Sequence, residues 1–138
     1  MNLGRTRFET ELQVRPDDLD FNQHVHASRY YDYVLAARYD QMARCYMMSL
    51  EQFFELGFAW FTRVSHMDYK RPLRLGEHII VRTWIDEMRS NGVLVLFEIV
   101  KKENGKLSCS GYCDFTLVDS KTGRATVIPE SIREKYSV

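Results

Sequence analysis

The 138-residue chain lacks the features that mark a membrane protein, a secreted protein or a nucleic-acid binder. Its 19 basic and 19 acidic residues give a formal charge of +0, which argues against a nucleic-acid partner and against an anionic membrane surface. Apolar runs all stay well below the ~20 residues of a spanning helix, and the first residues lack the apolar core of a secretory signal. We therefore expect a cytoplasmic protein without a membrane span.

Cysteine is scarce, and so are the glycine-rich motifs of several enzyme classes. Cys45, Cys109 and Cys113 form an odd set without metal-ligand spacing, which predicts reduced thiols. The chain has no Gly-x-Ser-x-Gly elbow and no glycine-rich phosphate loop. An α/β-hydrolase and a nucleotide-loop enzyme are therefore excluded.

What the chain does contain is a clear change of hydrophobic period. Apolar residues alternate over residues 8–14, which predicts a half-buried strand ending at Pro16. Residues 28–48 contain no Gly or Pro and are apolar nearly all round, which predicts a long buried helix with Ser28 as N-cap. A short helix is predicted over residues 49–56, with Gly57 just after its end.

Beyond Gly57 the period changes to two, which predicts four strands. The first covers residues 59–69, and turn signals at residues 90–92 and 103–105 separate the later ones. Pro129 is expected to open a short C-terminal helix. On the last strand we expect these residues to face outward: Ser108, Ser110, Tyr112, Asp114 and Thr116. The inner faces predicted for the last three strands are Ile79, Val81, Thr83 and Ile85; Val93, Val95, Phe97 and Ile99; and Leu107, Cys109, Gly111, Cys113, Phe115 and Leu117.

This order of elements predicts one α+β domain over residues 1–138. A helix as apolar as the first one needs a sheet around it, so we expect an antiparallel sheet of about five strands wrapped around one long helix. Such a sheet has open edges, which favour pairing with a second copy of the chain. We expect a homodimer at least, and the sequence leaves open whether dimers pair into tetramers.

The segment between the first strand and the long helix carries the chemistry. It places Asp17, Asp18 and Asp20 beside a helix start, whose free N–H groups suit developing negative charge. Asp20 is the candidate for a reacting carboxylate; the alternative is a capping or turn carboxylate. Asp17 and Asp18 are predicted to form the turn as solvated charges, with Asp18 also holding a backbone N–H.

We do not expect this segment to bind a metal ion. Asp18, Asp20 and Asn22 begin like a calcium loop, but Gln23 stands where that loop needs Gly and Arg29 where it needs a bidentate Glu. His24 and His26 with the carboxylates would suit zinc, a reading that we also reject.

The order and spacing of several short motifs resemble the hotdog-fold acyl-CoA thioesterases, specifically the 4-hydroxybenzoyl-CoA thioesterase-like group. The motifs are Val14-Arg15-Pro16, Asp18-Leu19-Asp20, His24-Val25, Tyr30 and Ala37-Arg38. Residues 67–77 and 127–129 are also similar to that group, so the resemblance covers almost the whole chain. It implies the hotdog fold and hydrolysis of an acyl-CoA thioester to a free acid and CoA.

The resemblance also implies residue roles. Asp20 is expected to act as nucleophile or as general base, and the backbone N–H of Ala27 to polarise the thioester carbonyl, helped by His26 or Ser28. His24 either orients water or the carbonyl, or is bonded to the loop backbone. Tyr30, Tyr31 and Trp60 are expected to line the acyl tunnel. The implied reaction needs no metal or redox cofactor.

Departures from the family pattern keep alternatives open. Gln23 stands where the family usually has Gly, and we do not expect Gln to adopt a positive φ easily. His24-Val25 is similar to the motif of relatives that cleave acyl-carrier-protein thioesters, so a carrier-protein thioester is an alternative substrate to acyl-CoA. A non-catalytic acyl-thioester binding module is an alternative function.

Two groups of basic residues also need partners. Arg38 is expected to need a carboxylate partner across a subunit boundary. The basic cluster Lys70, Arg71 and Arg74 would suit CoA phosphates or form a solvated rim.

Overall fold

The computed structural model describes residues 6–138 and contains five strands and three α-helices in that range. The strands alternate with the helices only at the start of the chain and then follow one another. In chain order the elements are β1 (Phe8–Gln13), α1 (Arg29–Arg44), α2 (Leu50–Glu55), β2 (Phe58–Tyr69), β3 (His78–Met88), β4 (Gly92–Lys101), β5 (Leu107–Asp119) and α3 (Glu130–Tyr136).

The five strands form one antiparallel sheet in the order β1-β3-β4-β5-β2. β3, β4 and β5 are joined by hairpins, as the turn signals predicted. The two strands at the edges, β1 and β2, are those that flank the helical segment along the chain. The predicted α+β architecture, with about five strands and one long helix, is confirmed.

The core lies between α1 and one face of the sheet. Val34 and Ala37 of α1 are completely buried, as are Val81 and Val95 on the sheet. The inner faces predicted for β3 and β4 are buried throughout, because a period of two puts every second side chain on the helix side. Burying each such side chain stabilises the fold by roughly 1.5–3 kcal/mol.

α1 differs from the predicted helix in length and exposure. It begins at Arg29, directly after the predicted N-cap Ser28, but it ends at Arg44, four residues earlier than expected. The chain leaves the helical path there: the N–H of Tyr46 bonds to the carbonyl of Gln41, and Met47 has a φ of 60°. α1 is also not buried all round, since Tyr39 is 45% exposed.

The alternation in β5 mispredicts two side chains. Ser108 and Asp114 were expected to face solvent, but both are buried. The Ser108 hydroxyl donates to the carbonyl of Arg71 at 2.7 Å. The carboxylate of Asp114 accepts hydrogen bonds from Arg63, at 2.9 Å, and from Arg89, so arginine side chains cover the outer face of the strand there.

The smaller elements follow their sequence signals. Ser49 caps α2 through a reciprocal pair of bonds with Gln52, and Pro129 directly precedes α3. Within residues 6–138, no helix is both long enough and apolar enough to cross a bilayer.

Gly111 of β5 provides a test of how closely β2 and β5 approach. A Cβ at this position would lie 1.8 Å from the carbonyl oxygen of His66 in β2, so the backbone would have to move. We expect Gly111→Ala to lower the free energy of unfolding by about 2–4 kcal/mol in urea titrations. Ser110→Ala, one residue away, should change it by less than about 0.5 kcal/mol. Equal stability of the two variants would contradict this packing.

Candidate active site

The loop between β1 and α1 is held in place by its own backbone. A single 3-10 turn spans Pro16–Asp18, and the N–H of Asp20 then donates to the carbonyl of His24 at 2.8 Å. The N–H of Val25 donates to the carbonyl of Leu73, also at 2.8 Å. The loop therefore has a defined shape and is tied to the segment that connects β2 and β3.

Asp18 anchors this loop from the inside. Its side chain is 8% exposed, and the carboxylate accepts a 2.6 Å hydrogen bond from the hydroxyl of Tyr33 on α1. The prediction of a solvated charge was wrong. The predicted bond to a backbone N–H is present, since Asp18 accepts one from Arg15 at 3.4 Å. Asp17, in contrast, is exposed, and its hydrogen bonds to Arg15 hold the pKa of its carboxyl below the usual value.

The two carboxylate oxygens of Asp20 have different surroundings. Oδ1 accepts hydrogen bonds from the N–H groups of Asn22, at 2.8 Å, and His24, at 3.2 Å. Among residues 6–138, Oδ2 has no hydrogen-bond partner. One oxygen thus fixes the orientation of the side chain, and the other is left available for chemistry.

Gln23 adopts the conformation that its side chain was expected to avoid. Its φ is 63°, in the left-handed region where Gly is favoured. The family's Gly at this position therefore matches a real requirement of the backbone, and this chain meets the requirement with a strained Gln.

The start of α1 leaves a backbone donor unused. Ser28 occupies the N-cap position, but its side chain does not cap the helix; both its N–H and its hydroxyl lie within hydrogen-bond distance of Nδ1 of His26, at 3.1 and 2.8 Å. Among the described residues, the N–H of Ala27 has no acceptor. The carbonyl of Ala27, in the following peptide group, accepts a 3.2 Å bond from the hydroxyl of Tyr69 at the end of β2.

An open cleft of about 320 Å³ brings four of the predicted residues together: Asp20, His24, Ala27 and Tyr30. Sequence reasoning missed Tyr69, because nothing in a strand pattern indicates that its last residue reaches a helix start. Burial raises the pKa of Tyr30 and of Tyr69, so both phenols stay protonated at neutral pH. The remaining walls are Val25, Lys70, Arg71 and Pro72.

The other predicted residues lie outside this cleft. His26 lines a second opening, formed with residues 19–23, and Ser28 lines neither opening. Trp60 lines a separate cavity of about 80 Å³, between α1, α2 and the sheet, whose apolar walls include Leu35, Met42, Leu50, Val93 and Phe115. Tyr31 bonds through its hydroxyl to Thr62, which lines the same cavity.

The described part of the chain contains no group of three or more His, Cys, Asp or Glu side chains arranged to hold a metal ion. The groups that the cleft offers are the carboxylate of Asp20, the backbone amide of Ala27 and the side chains of Tyr30 and Tyr69.

Comparison with known protein families identifies this architecture. Residues 14–136 match the model of the thioesterase-like superfamily. The chain belongs to that superfamily. The prediction of a hotdog-fold thioesterase is thereby confirmed at the level of family and enzyme class.

Individual relatives agree with this assignment. The chain is 23% identical over 127 residues to the long-chain acyl-CoA thioesterase FadM of Escherichia coli strain K12, covering 92% of this chain and 95% of FadM. The DHNA-CoA thioesterase of Staphylococcus aureus has the same fold, with a TM-score of 0.89 at 19% identity, over 95% of this chain and 89% of that one. A hypothetical protein of Staphylococcus aureus solved in complex with CoA has a TM-score of 0.81 at 21% identity, over 95% and 82%.

The bond between Tyr33 and Asp18 gives a prediction for the loop. Tyr33→Phe leaves the buried carboxylate without its closest donor, so we expect the free energy of unfolding to fall by about 1–3 kcal/mol. The loop should also loosen, which faster exchange of the His26 amide, bonded to the Asp18 carbonyl, would report. Tyr31→Phe is the matched control, because its half-buried hydroxyl bonds to Thr62 and not to the loop. Unchanged exchange of His26 in Tyr33→Phe would contradict the anchoring role of Asp18.

Proposed function

We propose that this chain is an acyl-CoA thioesterase in which Asp20 is the reacting carboxylate and the N–H of Ala27 binds the oxyanion. The observation that carries the proposal is the cleft that Asp20, with its available oxygen, and Ala27, with its unused N–H, both line. Thioester hydrolysis requires both an activated oxygen and a donor for the developing negative charge.

The proposed reaction proceeds in two steps. Asp20 takes a proton from water, and the resulting hydroxide attacks the thioester carbonyl; alternatively the carboxylate attacks directly and water then hydrolyses the anhydride. In either case the carbonyl oxygen becomes negative beside Ala27 and the positive end of α1. Collapse of the tetrahedral intermediate breaks the C–S bond and expels CoA as the thiolate. In the general-base route the acyl group leaves as the acid, and protonated Asp20 returns its proton to the thiolate. In the direct route the acyl group stays on Asp20 as the anhydride, which water hydrolyses to the acid and the free carboxylate, and the thiolate takes a proton from water.

Neighbouring residues support this chemistry by position. The carbonyl of His26, which shares a peptide group with the N–H of Ala27, accepts a 2.8 Å bond from the N–H of Arg29 and so fixes the direction of the Ala27 N–H. The bond from Tyr69 to the Ala27 carbonyl holds the next peptide group. His24 lines the cleft, and its backbone N–H orients Asp20, so we assign it a positioning role. We place His26 and Ser28, which are bonded to each other, behind this peptide as supports for the helix start.

The rim of the cleft suits CoA. Lys70 and Arg71 line it, and basic side chains bind phosphates through charge-assisted hydrogen bonds. CoA is favoured over carrier protein because FadM acts on acyl-CoA and one structural relative was solved with CoA.

The proposed chemistry uses water, a carboxylate and amide donors, so it requires no cofactor. We assign the protein to the cytoplasm, in keeping with its three free thiols.

Replacing Asp20 by Asn tests the proposal with little disturbance of the loop. Asn retains the oxygen that accepts from Asn22 and His24, but it is neither a base nor a nucleophile. We expect Asp20→Asn to lower kcat/KM by at least about 10²-fold on the best substrate of a panel of aryl, short, medium and long acyl-CoAs. Asp17→Asn, an exposed carboxylate of the same loop, should stay within about twofold of wild type. Released thiol is the measured product.

Each outcome of this comparison is informative. Full activity of folded Asp20→Asn would show that the reaction occurs elsewhere. If wild type cleaves no acyl-CoA, acyl-carrier-protein thioesters are the next substrates, and failure there would favour a non-catalytic acyl-thioester binding module.

We also propose a homodimer formed through β2. This 12-residue strand lies at one edge of the sheet, where it pairs only with β5 among the described strands. Phe61 is 61% exposed and Val64 37% exposed on it. A long edge with exposed apolar residues is suited to pairing with another strand, whereas the opposite edge, β1, has only six residues.

The size of the protein in solution tests this interface. We expect wild type to sediment as a dimer, or as a tetramer if dimers pair further. Phe61→Asp should dissociate it, since a charge on an edge strand opposes pairing. Val127→Asp, at an exposed apolar residue outside the strands, is the control and should sediment like wild type. A monomeric wild type, or a Phe61→Asp variant that stays associated, would contradict the proposed interface.

A further inference from the structure

Arg38, in the middle of α1, is a buried cation without a counter-ion. It is 4% exposed, and within residues 6–138 it makes no ion pair and no hydrogen bond. Its Nη1 atom is one of three buried side-chain polar atoms in that range that lack a partner; the others are Nε1 of Trp60 and the hydroxyl of Tyr136. A guanidinium is never neutral in a protein, so an unpaired buried one is costly unless something binds to it.

The three unpaired groups belong to one cluster of contacting side chains. The guanidinium of Arg38 lies 5.2 Å from the ring centroid of Tyr46, which stacks on Tyr136 at 4.6 Å. Tyr136 in turn stacks on Trp60 at 6.0 Å. The face of Tyr46 compensates part of the charge of Arg38, but an aromatic face accepts no strong hydrogen bond. The Tyr136 hydroxyl is a neutral donor and acceptor, so the cluster contains no anion that could pair with Arg38.

Arg38 and Trp60 both line the 80 Å³ cavity between α1, α2 and the sheet. The cavity walls are mainly apolar and include no Asp or Glu, so nothing on them neutralises Arg38. By the measure of about 10–15 Å³ per water, the space accommodates several non-hydrogen atoms. A carboxylate with a few methylene groups has this size and this polarity.

One face of α1 runs from the first turn of the helix, near the catalytic cleft, to this cavity. Tyr31, Leu35, Arg38 and Met42 follow each other at spacings of four, three and four residues, which places them on one side of the helix. Tyr31 stands at the top of this face, next to Tyr30 of the cleft, and Thr62, its bonding partner, lines the cavity. From the first residue of α1 to Arg38 the helix rises about 13 Å, the length of an extended chain of about ten to twelve bonds.

We propose that Arg38 forms a carboxylate subsite at the far end of the acyl pocket, so that the preferred substrate is a long acyl-CoA with a second carboxylate at its distal end. The inference rests on the proposed function, because it assigns the acyl chain to the α1 face that leads from Asp20. The distal carboxylate accepts hydrogen bonds from the guanidinium, and the methylene chain packs against the apolar walls.

Two acyl-CoAs of equal length, about ten to twelve carbons, test the subsite: one ends in a methyl group and the other in a carboxylate. We expect wild type to favour the carboxylate-ended substrate in kcat/KM by about tenfold or more, and Arg38→Met to favour the methyl-ended one. Met retains much of the length and apolar bulk of the side chain, and replacing a buried charge by an apolar residue is commonly tolerated. Arg44→Met is the matched control, because Arg44 is an exposed residue of the same helix paired with Asp40, and it should retain the wild-type preference.

Binding of non-hydrolysable thioether analogues, measured by calorimetry, separates the subsite from catalysis. The carboxylate-ended analogue should bind wild type about tenfold more tightly than the methyl-ended one, and Arg38→Met should remove that difference. This result would support the subsite even if neither thioester were cleaved, in which case the proposed function alone would fail. Equal binding of the two analogues to wild type would overturn the subsite.

Two further outcomes would also overturn the proposal. If Arg38→Met lowers activity on both substrates equally, Arg38 has a general structural role. If Arg38→Met sediments as a monomer while wild type does not, the acceptor is a carboxylate of a second copy of the chain.

Discussion

The burial of α1 against the sheet is the constraint on which the other features depend. Val34 and Ala37 are completely buried, so α1 cannot rotate or slide without exposing its apolar face. Its start is therefore fixed in space, and with it the peptide groups that precede Arg29. A backbone donor stabilises an oxyanion efficiently only if it needs no reorganisation when charge develops. The packing of the core thus creates the rigidity that the proposed chemistry uses.

The loop that precedes α1 depends on the same helix. Tyr33 projects from its first turns and holds the buried carboxylate of Asp18, which fixes the turn that carries Asp20. Part of this stability is given up at Gln23, whose positive φ is unfavourable for a residue with a side chain. Strain of this kind persists where surrounding bonds over-determine the conformation, and the bonds of Asp20 on one side of Gln23 and of Val25 on the other do so here.

The fold could be predicted from the sequence because period and order are local signals. The alternation of apolar residues predicted β3 and β4, and the long apolar segment predicted α1. The predicted ends of these elements lie within a few residues of the observed ones. The buried Asp114 could not be predicted, because Arg63 and Arg89 approach it from elsewhere in the chain. Alternation reports the face of a strand and says nothing about what covers that face.

The site was predictable to a smaller extent. Asp20, His24, Ala27 and Tyr30 meet in one cleft, since they are close along the chain. Trp60 lies in a different cavity, because the position of β2 relative to α1 is set by long-range packing that no motif encodes. The burial of Asp18 and the contact of Tyr69 with Ala27 could not be predicted for the same reason, because both depend on contacts between residues far apart in the sequence. The position of Arg38 in an apolar helix did predict, from the sequence alone, that this cation needs an anionic partner.

A crystal structure with a ketone analogue of an acyl-CoA, in which a methylene group replaces the thioester sulfur, would show where the reacting carbonyl binds. We expect the carbonyl oxygen at about 2.7–3.1 Å from the N–H nitrogen of Ala27, with the carbonyl carbon facing Oδ2 of Asp20. A carbonyl bound away from the start of α1, with Asp20 still bonded only to its own loop, would contradict this expectation.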